Sequence, residues 1–121
     1  MEEGSADLIV ATRTEGFATV VVAQGEIDLS TIPLLTEKLD DLIADGQVDL
    51  IIDMAGVDFI DSTGLGALVG ARKKALAKEG SVHLACIQSK VLKIFKITQL
   101  TEIFPVHESV ADAIASAPDR P

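Results

Sequence analysis

Val48–Met54 reads VDLIIDM, a short and almost unbroken apolar run rich in branched side chains. Such a run lacks the in-out alternation of a strand with one wet face. It predicts a central strand covered on both sides, which in turn requires helices packed on the sheet. Helical stripes do flank it. Ile32, Leu35, Leu39, Leu42 and Ile43 recur at helical spacing after Ser30-Thr31, with Pro33 tolerated in the first turn and Asp45-Gly46 as the stop. On the other side a loop, Ala55–Asp61, leads to a second helix starting at Ser62 or Thr63. Leu65, Leu68, Val69 and Leu76 should face the core there, and Glu79-Gly80 should close it.

The rest of the chain alternates in the same way. Asp7–Thr12 and Phe17–Gln24 are β-rich and separated by Arg13-Thr14-Glu15-Gly16, which predicts a hairpin with Gly25–Leu29 as the way out. Ser81–Ile87 reads as a strand, Ser89–Leu100 as a helix, Ile103–Val106 as a short strand and Glu108–Ala117 as a last helix. The order is ββαβαβαβα. Single helices between strands imply right-handed crossovers, so the expected fold is α/β, with a mixed, mainly parallel sheet. The 121 residues suit one domain, with a core of about 7–116 and flexible ends at 1–5 and 117–121.

Composition narrows the function. A domain of this size buries about two-thirds of its unfolded surface, so no disulfide or metal staple is needed. Charges interrupt every apolar run, and the acidic start MEEGSADLIV has no basic region before an apolar stretch, so neither a membrane span nor a signal peptide is expected. Cys86 is the single cysteine, which fits a reduced, cytoplasmic setting and excludes a cysteine-based zinc site. His83 and His107 have no close partner in sequence, so no metal and no other cofactor is expected. Cys86 reads as a small buried hydrophobe in a strand. The net charge of −9 and the absence of Trp and Tyr argue against nucleic acid as a partner. The charge is uneven: residues 1–71 carry 14 acids and two bases, while residues 72–121 carry eight bases and five acids. Lys90, Lys93 and Lys96 form a stripe on the third helix. That stripe is either a solvated face or a contact for an acidic partner, and the overall split allows electrostatic steering.

The segment Val57-Asp58-Phe59-Ile60-Asp61-Ser62-Thr63-Gly64-Leu65-Gly66 joins the central strand to a helix N-terminus, at the end of the sheet where α/β proteins place their sites. Ser62 sits where an N-cap belongs, and capping alone would account for it. Three neighbours point further. Gly64 and Gly66 lie inside a helix at a cost of about 1 kcal/mol each against Ala. They serve either close packing on the sheet or a flat surface for a partner. Asp28, Asp58 and Asp61 are expected to gather at the same end. A helix N-terminus also tolerates an anion, so a phosphate on Ser62 could be held without unfolding. Together these features describe a phosphorylation switch that blocks a docked partner while leaving the fold intact.

Gly25-Glu26-Ile27-Asp28, the strand Leu50–Met54 and the run Asp61-Ser62-Thr63-Gly64-Leu65-Gly66 resemble the STAS domain family, and within it the bacterial anti-sigma factor antagonists. The resemblance covers about residues 7–116. It implies a mixed sheet with helices mostly on one side, and a binding protein with no catalysis of its own. It further implies that the unphosphorylated form binds an anti-sigma factor that is also a serine kinase, which frees the sigma factor. Phosphorylation of Ser62 with ATP then breaks the complex, and a serine phosphatase restores it. Asp28 falls where the family places an acidic residue near the phosphosite, and Thr63 is a minor candidate acceptor. The partner surface then comprises Asp28, Asp58, Asp61, Ser62, Thr63, Gly64 and Gly66.

Two other readings compete. A STAS accessory subunit of a membrane transport complex would need no phosphate cycle. A receiver-like or magnesium-dependent phosphatase domain would use Asp53 with Asp28, Asp58 and Asp61. Against it, Thr12-Arg13-Thr14 ends the first strand without a carboxylate pair, and the last strand carries no Lys.

Overall fold

The structure, a computed structural model, describes residues 7–116, so the expected flexible ends at 1–5 and 117–121 lie outside the described residues. Strands β1 (Leu8–Glu15) and β2 (Ala18–Ile27) form the predicted antiparallel hairpin, with Glu15 opposite Ala18. Gly16 supplies the left-handed backbone of its turn, at φ 63°. Helix α1 (Ile32–Ala44) crosses to β3 (Asp49–Ile60), and α2 (Ser62–Ala77) crosses to β4 (Ser81–Ala85). Helix α3 (Ser89–Ile97), a 3-10 turn (Leu100–Glu102), β5 (Val106–His107) and α4 (Val110–Ser116) complete the described chain. The sheet runs β1-β2-β3-β4-β5, with every pair parallel except the opening hairpin.

The central strand is covered on both faces, as its continuous apolar run requires. On one side Leu50, Ile52 and Met54 pack with Leu35 and Leu39 of α1, Leu68 of α2 and Phe95 of α3. On the other side Ile51 packs with Val20, Ala85 and Ala113 of α4. Three helices therefore lie on one face and the short α4 on the other.

Several boundaries differ from the sequence reading, each for a physical reason. β3 does not stop at Met54. Ala55–Ile60, expected as a loop, keeps pairing with the end of β2, so that Gly25 faces Val57 and Ile27 faces Ile60. Two register shifts, one beside Asp53–Gly56 and one at Asp58, each leave an extra residue on β3. They break the alternation that would have signalled a strand: Val57 and Ile60 are buried, while Asp58 and Phe59 are exposed.

Leu76, expected in the core, is 46% exposed, and Ala71 and Ala75 take the inward positions one and two turns after Leu68. α3 ends at Ile97 rather than Leu100. β5 forms at Val106–His107 rather than 103–106, and α4 begins at Val110 rather than Glu108. Cys86 lies beyond β4 in the left-handed region, at φ 61°, and is only half-buried, so it is not the core strand residue expected.

Candidate functional site

The site forms where β2 and β3 end side by side. Ile27 and Ile60 pair at that end, and the Asp61 amide donates to the Ile27 carbonyl at 3.1 Å. The two exits, Asp28–Thr31 and Asp61–Ser62, therefore emerge together and lead into α1 and α2.

Asp28 builds the first exit. Its carboxylate accepts from the Ser30 amide (3.0 Å), the Ser30 hydroxyl (2.8 Å) and the Thr31 amide (3.2 Å). Its own amide donates to Thr31 Oγ1 at 2.9 Å, and that hydroxyl donates to the Glu26 carbonyl at 2.8 Å. Asp28 thus holds the turn that starts α1.

Asp61 builds the second exit. It is the N-cap of α2, and its Oδ1 accepts from the Gly64 amide at 2.9 Å. The expectation that Ser62 is the cap is therefore corrected. Ser62 is the first helical residue, and Asp61 has the extended backbone a cap requires. The Thr63 hydroxyl donates to Asp61 Oδ1 at 2.6 Å. Across the gap, the Leu29 amide donates to Asp61 Oδ2 at 3.2 Å, which ties the two exits together. The Thr63 hydroxyl and the Gly64 amide, with a smaller part from Leu29, hold the Asp61 carboxyl below its ordinary value of 3.8.

This arrangement separates two adjacent hydroxyls. Thr63 is bonded to Asp61. Ser62 is exposed and its hydroxyl makes no hydrogen bond among the described residues. It is the first residue of α2, so its Oγ lies at a helix N-terminus. Asp58, on the bulged end of β3, is exposed and likewise makes no side-chain bond to a described residue. Asp28 and Asp61 are thus joined through the Leu29 amide, and Asp58 adds a solvated carboxylate on the strand leading to them.

Gly64 and Gly66 divide between the two roles expected for them. A methyl on Gly64 would come within 2.7 Å of Ile27 Cγ2 and 2.8 Å of Ile60 Cγ1, so Gly64 allows α2 to sit tightly on the sheet end. A methyl on Gly66 meets nothing within 4 Å, and neither does one on Gly70, so these two leave the outer side of α2 flat. Asp53, the residue behind the receiver-like reading, lies far back along β3, where its carboxylate accepts from the Ala55 amide at 3.0 Å.

Two apolar side chains at the site were missed in the sequence. Leu29, whose amide bonds Asp61, is 72% exposed, and Phe59, two residues before Asp61 on β3, is 47% exposed. A large apolar residue inside a predicted loop was the available signal. The sequence reading also kept His83 and His107 apart. The fold joins them away from this site, with His83 Nδ1 3.0 Å from His107 Nε2. No group of three or more His, Cys, Asp or Glu among the described residues is arranged to hold a metal ion, and none of their helices is long and apolar enough to cross a membrane.

Residues 9–113 match the STAS domain family. An anti-sigma-B factor antagonist of Staphylococcus aureus (strain NCTC 8325 / PS 47) is 30% identical over 102 residues, which are 84% of this chain and 94% of that protein. A crystal structure of an anti-sigma factor antagonist from Mycobacterium paratuberculosis superposes with a TM-score of 0.86 at 26% identity, covering 98% of this chain and all of that one. SpoIIAA in its unphosphorylated form shares the fold, with a TM-score of 0.67 at 19% identity over 88% of this chain and 94% of that one. Its phosphorylated form, described as a Bacillus cell fate determinant, gives 0.70 at 20% identity over 88% and 97%. A match over nearly the whole described chain, on a sheet of the same architecture, places this protein in the STAS domain family.

Proposed function

We propose that this chain is an anti-sigma factor antagonist gated by phosphorylation of Ser62. Unphosphorylated, it binds an anti-sigma factor through the α2 N-terminus and the two exits beside it, and so releases a sigma factor for transcription in the cytoplasm. The binding partner is itself a serine kinase. It transfers the γ-phosphoryl group of ATP to Ser62 Oγ; the serine proton is lost and ADP leaves. A serine phosphatase hydrolyses the ester and resets the chain.

The observation that carries this reading is the contrast between Ser62, exposed and unbonded, and Thr63, bonded to Asp61. It favours Ser62 over Thr63 as the acceptor. The surroundings fit both states. Leu29, Phe59 and the flat Gly66 side of α2 offer an apolar, low-relief contact to a partner. A phosphate on Ser62 adds a charge of about −1.5 to −2 beside Asp61 and Asp28. The helix N-terminus offsets that charge within the fold. A desolvated partner contact has no such offset, so binding is lost and structure is kept. The S. aureus relative's name and the phosphorylated form of SpoIIAA lend the reading further support.

The test is affinity capture from native lysate with wild type, Ser62→Ala and Ser62→Asp as baits. Wild type and Ser62→Ala should retain an anti-sigma factor with a kinase domain, and Ser62→Asp should lose it. The captured protein, given ATP, should label wild type on Ser62 and leave Ser62→Ala unlabelled. Equal capture of a permease or transport ATPase by all three baits would replace this reading with the accessory-subunit one.

A further inference from the structure

Away from the Ser62 surface, two helix faces match each other in chemistry. On α3, Lys90, Lys93 and Lys96 are exposed, and Ile97, one turn after Lys93, is 81% exposed beside them. None of the three lysines is paired with a described residue. The chain has no acid anywhere from residue 80 to residue 101, so nothing local can neutralise them. A single exposed isoleucine is ordinary on a surface, but with Lys90 and Lys93 beside it Ile97 gives this face an apolar point within a basic stripe, which an acidic face carrying its own apolar residue would match.

The outer side of α1 has that composition. Glu37, Asp41 and Asp45 are exposed at four-residue intervals, and Leu34, 39% exposed, lies one turn before Glu37. Asp45 accepts a hydrogen bond from Gln47, and Lys38 stands half-buried at the margin. The two faces cannot meet within one chain. α1 packs on α2 and β1, whereas α3 packs over β3 and the 3-10 turn, so they occupy opposite flanks of the helical layer.

We infer that the lysine–isoleucine face of α3 docks on the acidic face of α1 of a second copy of this chain. Different surfaces meet, so the contact is head-to-tail and adds copies in a row rather than closing as a symmetric pair. Nine residues make α3 about 14 Å long, so the contact is smaller than the roughly 800 Å² per partner of a standard stable interface. The association is therefore weak, reversible and sensitive to salt.

Sedimentation equilibrium on the purified chain tests this. At about 0.1 M salt, where the repulsion between two chains of net charge −9 is screened beyond about 10 Å, the average mass should rise with concentration, and about 1 M salt should return it to the monomer value. Lys93→Glu and Asp41→Lys, both on exposed helix positions, should keep the wild-type circular dichroism. Each should weaken association by more than about tenfold, because a like-charge contact replaces an attractive one. An equimolar mixture of the two variants has one intact α1 face and one intact α3 face, so it should associate where neither variant does alone. A wild type that stays monomeric at every concentration overturns the inference. So do variants that associate like the wild type, or a mixture that associates no better than its components.

Discussion

Gly64 and Gly66, two positions apart on α2, respond oppositely to an added methyl group. In Gly64→Ala the new carbon meets Ile27 and Ile60 inside ordinary contact distance, so α2 must shift or those side chains must leave their rotamers. The expected cost is about 1–3 kcal/mol. In Gly66→Ala the carbon enters open space, and the better helix former should add up to about 1 kcal/mol. Urea unfolding of the two variants should therefore move the midpoint in opposite directions. The capture assay adds a second readout: if partner contact uses the flat side of α2, Gly66→Ala should stabilise the fold and weaken capture together. The sequence showed both glycines as a helix penalty seeking a reason. It could not separate them, because the reason for Gly64 lies in β2 and β3, far off in the chain. The same holds for Ser62 and Thr63. Both read as hydroxyls at a helix start, and only the placement of Asp61 as the cap shows which one is occupied.

At the scale of elements, the junction depends on a carboxylate that joins two loops. Asp61 caps α2 through Gly64 and holds the start of the α1 turn through Leu29. These bonds favour its charged form, and its carboxyl lies below the ordinary value of 3.8. In the unfolded chain the group binds its proton at the ordinary value, and in the folded chain only at lower pH. The stability it supplies is thus fully present above 3.8 and is lost as pH falls through the folded value. Asp61→Asn keeps the shape but not the charge. It should melt at a lower temperature near neutral pH and show a shallower loss of stability in acid than the wild type, as read by thermal melts across that range. An unchanged acid slope would mean that the link between the exits does not depend on charge. The elements around this junction were only partly legible. The apolar run Val48–Met54 announced a central strand, and the stripe Leu35, Leu39, Leu42, Ile43 announced α1, because both patterns follow directly from burial. The second half of β3 was not legible. Its bulges interrupt the period of two, and its pairing with Gln24–Ile27 depends on backbone bonds that leave no mark on side-chain hydropathy.

For the molecule as a whole, His83 and His107 link the far edge of the sheet to the helix on its second face. Their rings lie within 8° of parallel with centroids 5.1 Å apart, and an N···N contact of 3.0 Å spans the gap, so they meet edge to edge in nearly one plane. Ser116 of α4 places its hydroxyl 3.2 Å from the same His107 nitrogen and donates to the Ala113 carbonyl at 3.1 Å. A single proton lies between His83 Nδ1 and His107 Nε2, and either nitrogen can carry it while both rings are neutral. Burial, and then the His107 ring, hold His83 below its ordinary value of 6.5, against a smaller upward pull from the Asp49 carboxylate. In the unfolded chain His83 protonates near 6.5, and in the folded chain only at lower pH. The unfolded state thus binds more protons in that interval, and stability falls as pH drops through 6.5 toward the folded value. Thermal melts from about pH 7.5 down to about pH 5.5 should show a falling transition temperature in the wild type. His83→Gln keeps an acceptor at that position but cannot titrate, so its melts should be nearly flat over the same interval. A variant that follows the wild-type slope would move the pH sensitivity to another group and leave the histidine pair as a neutral hydrogen bond only.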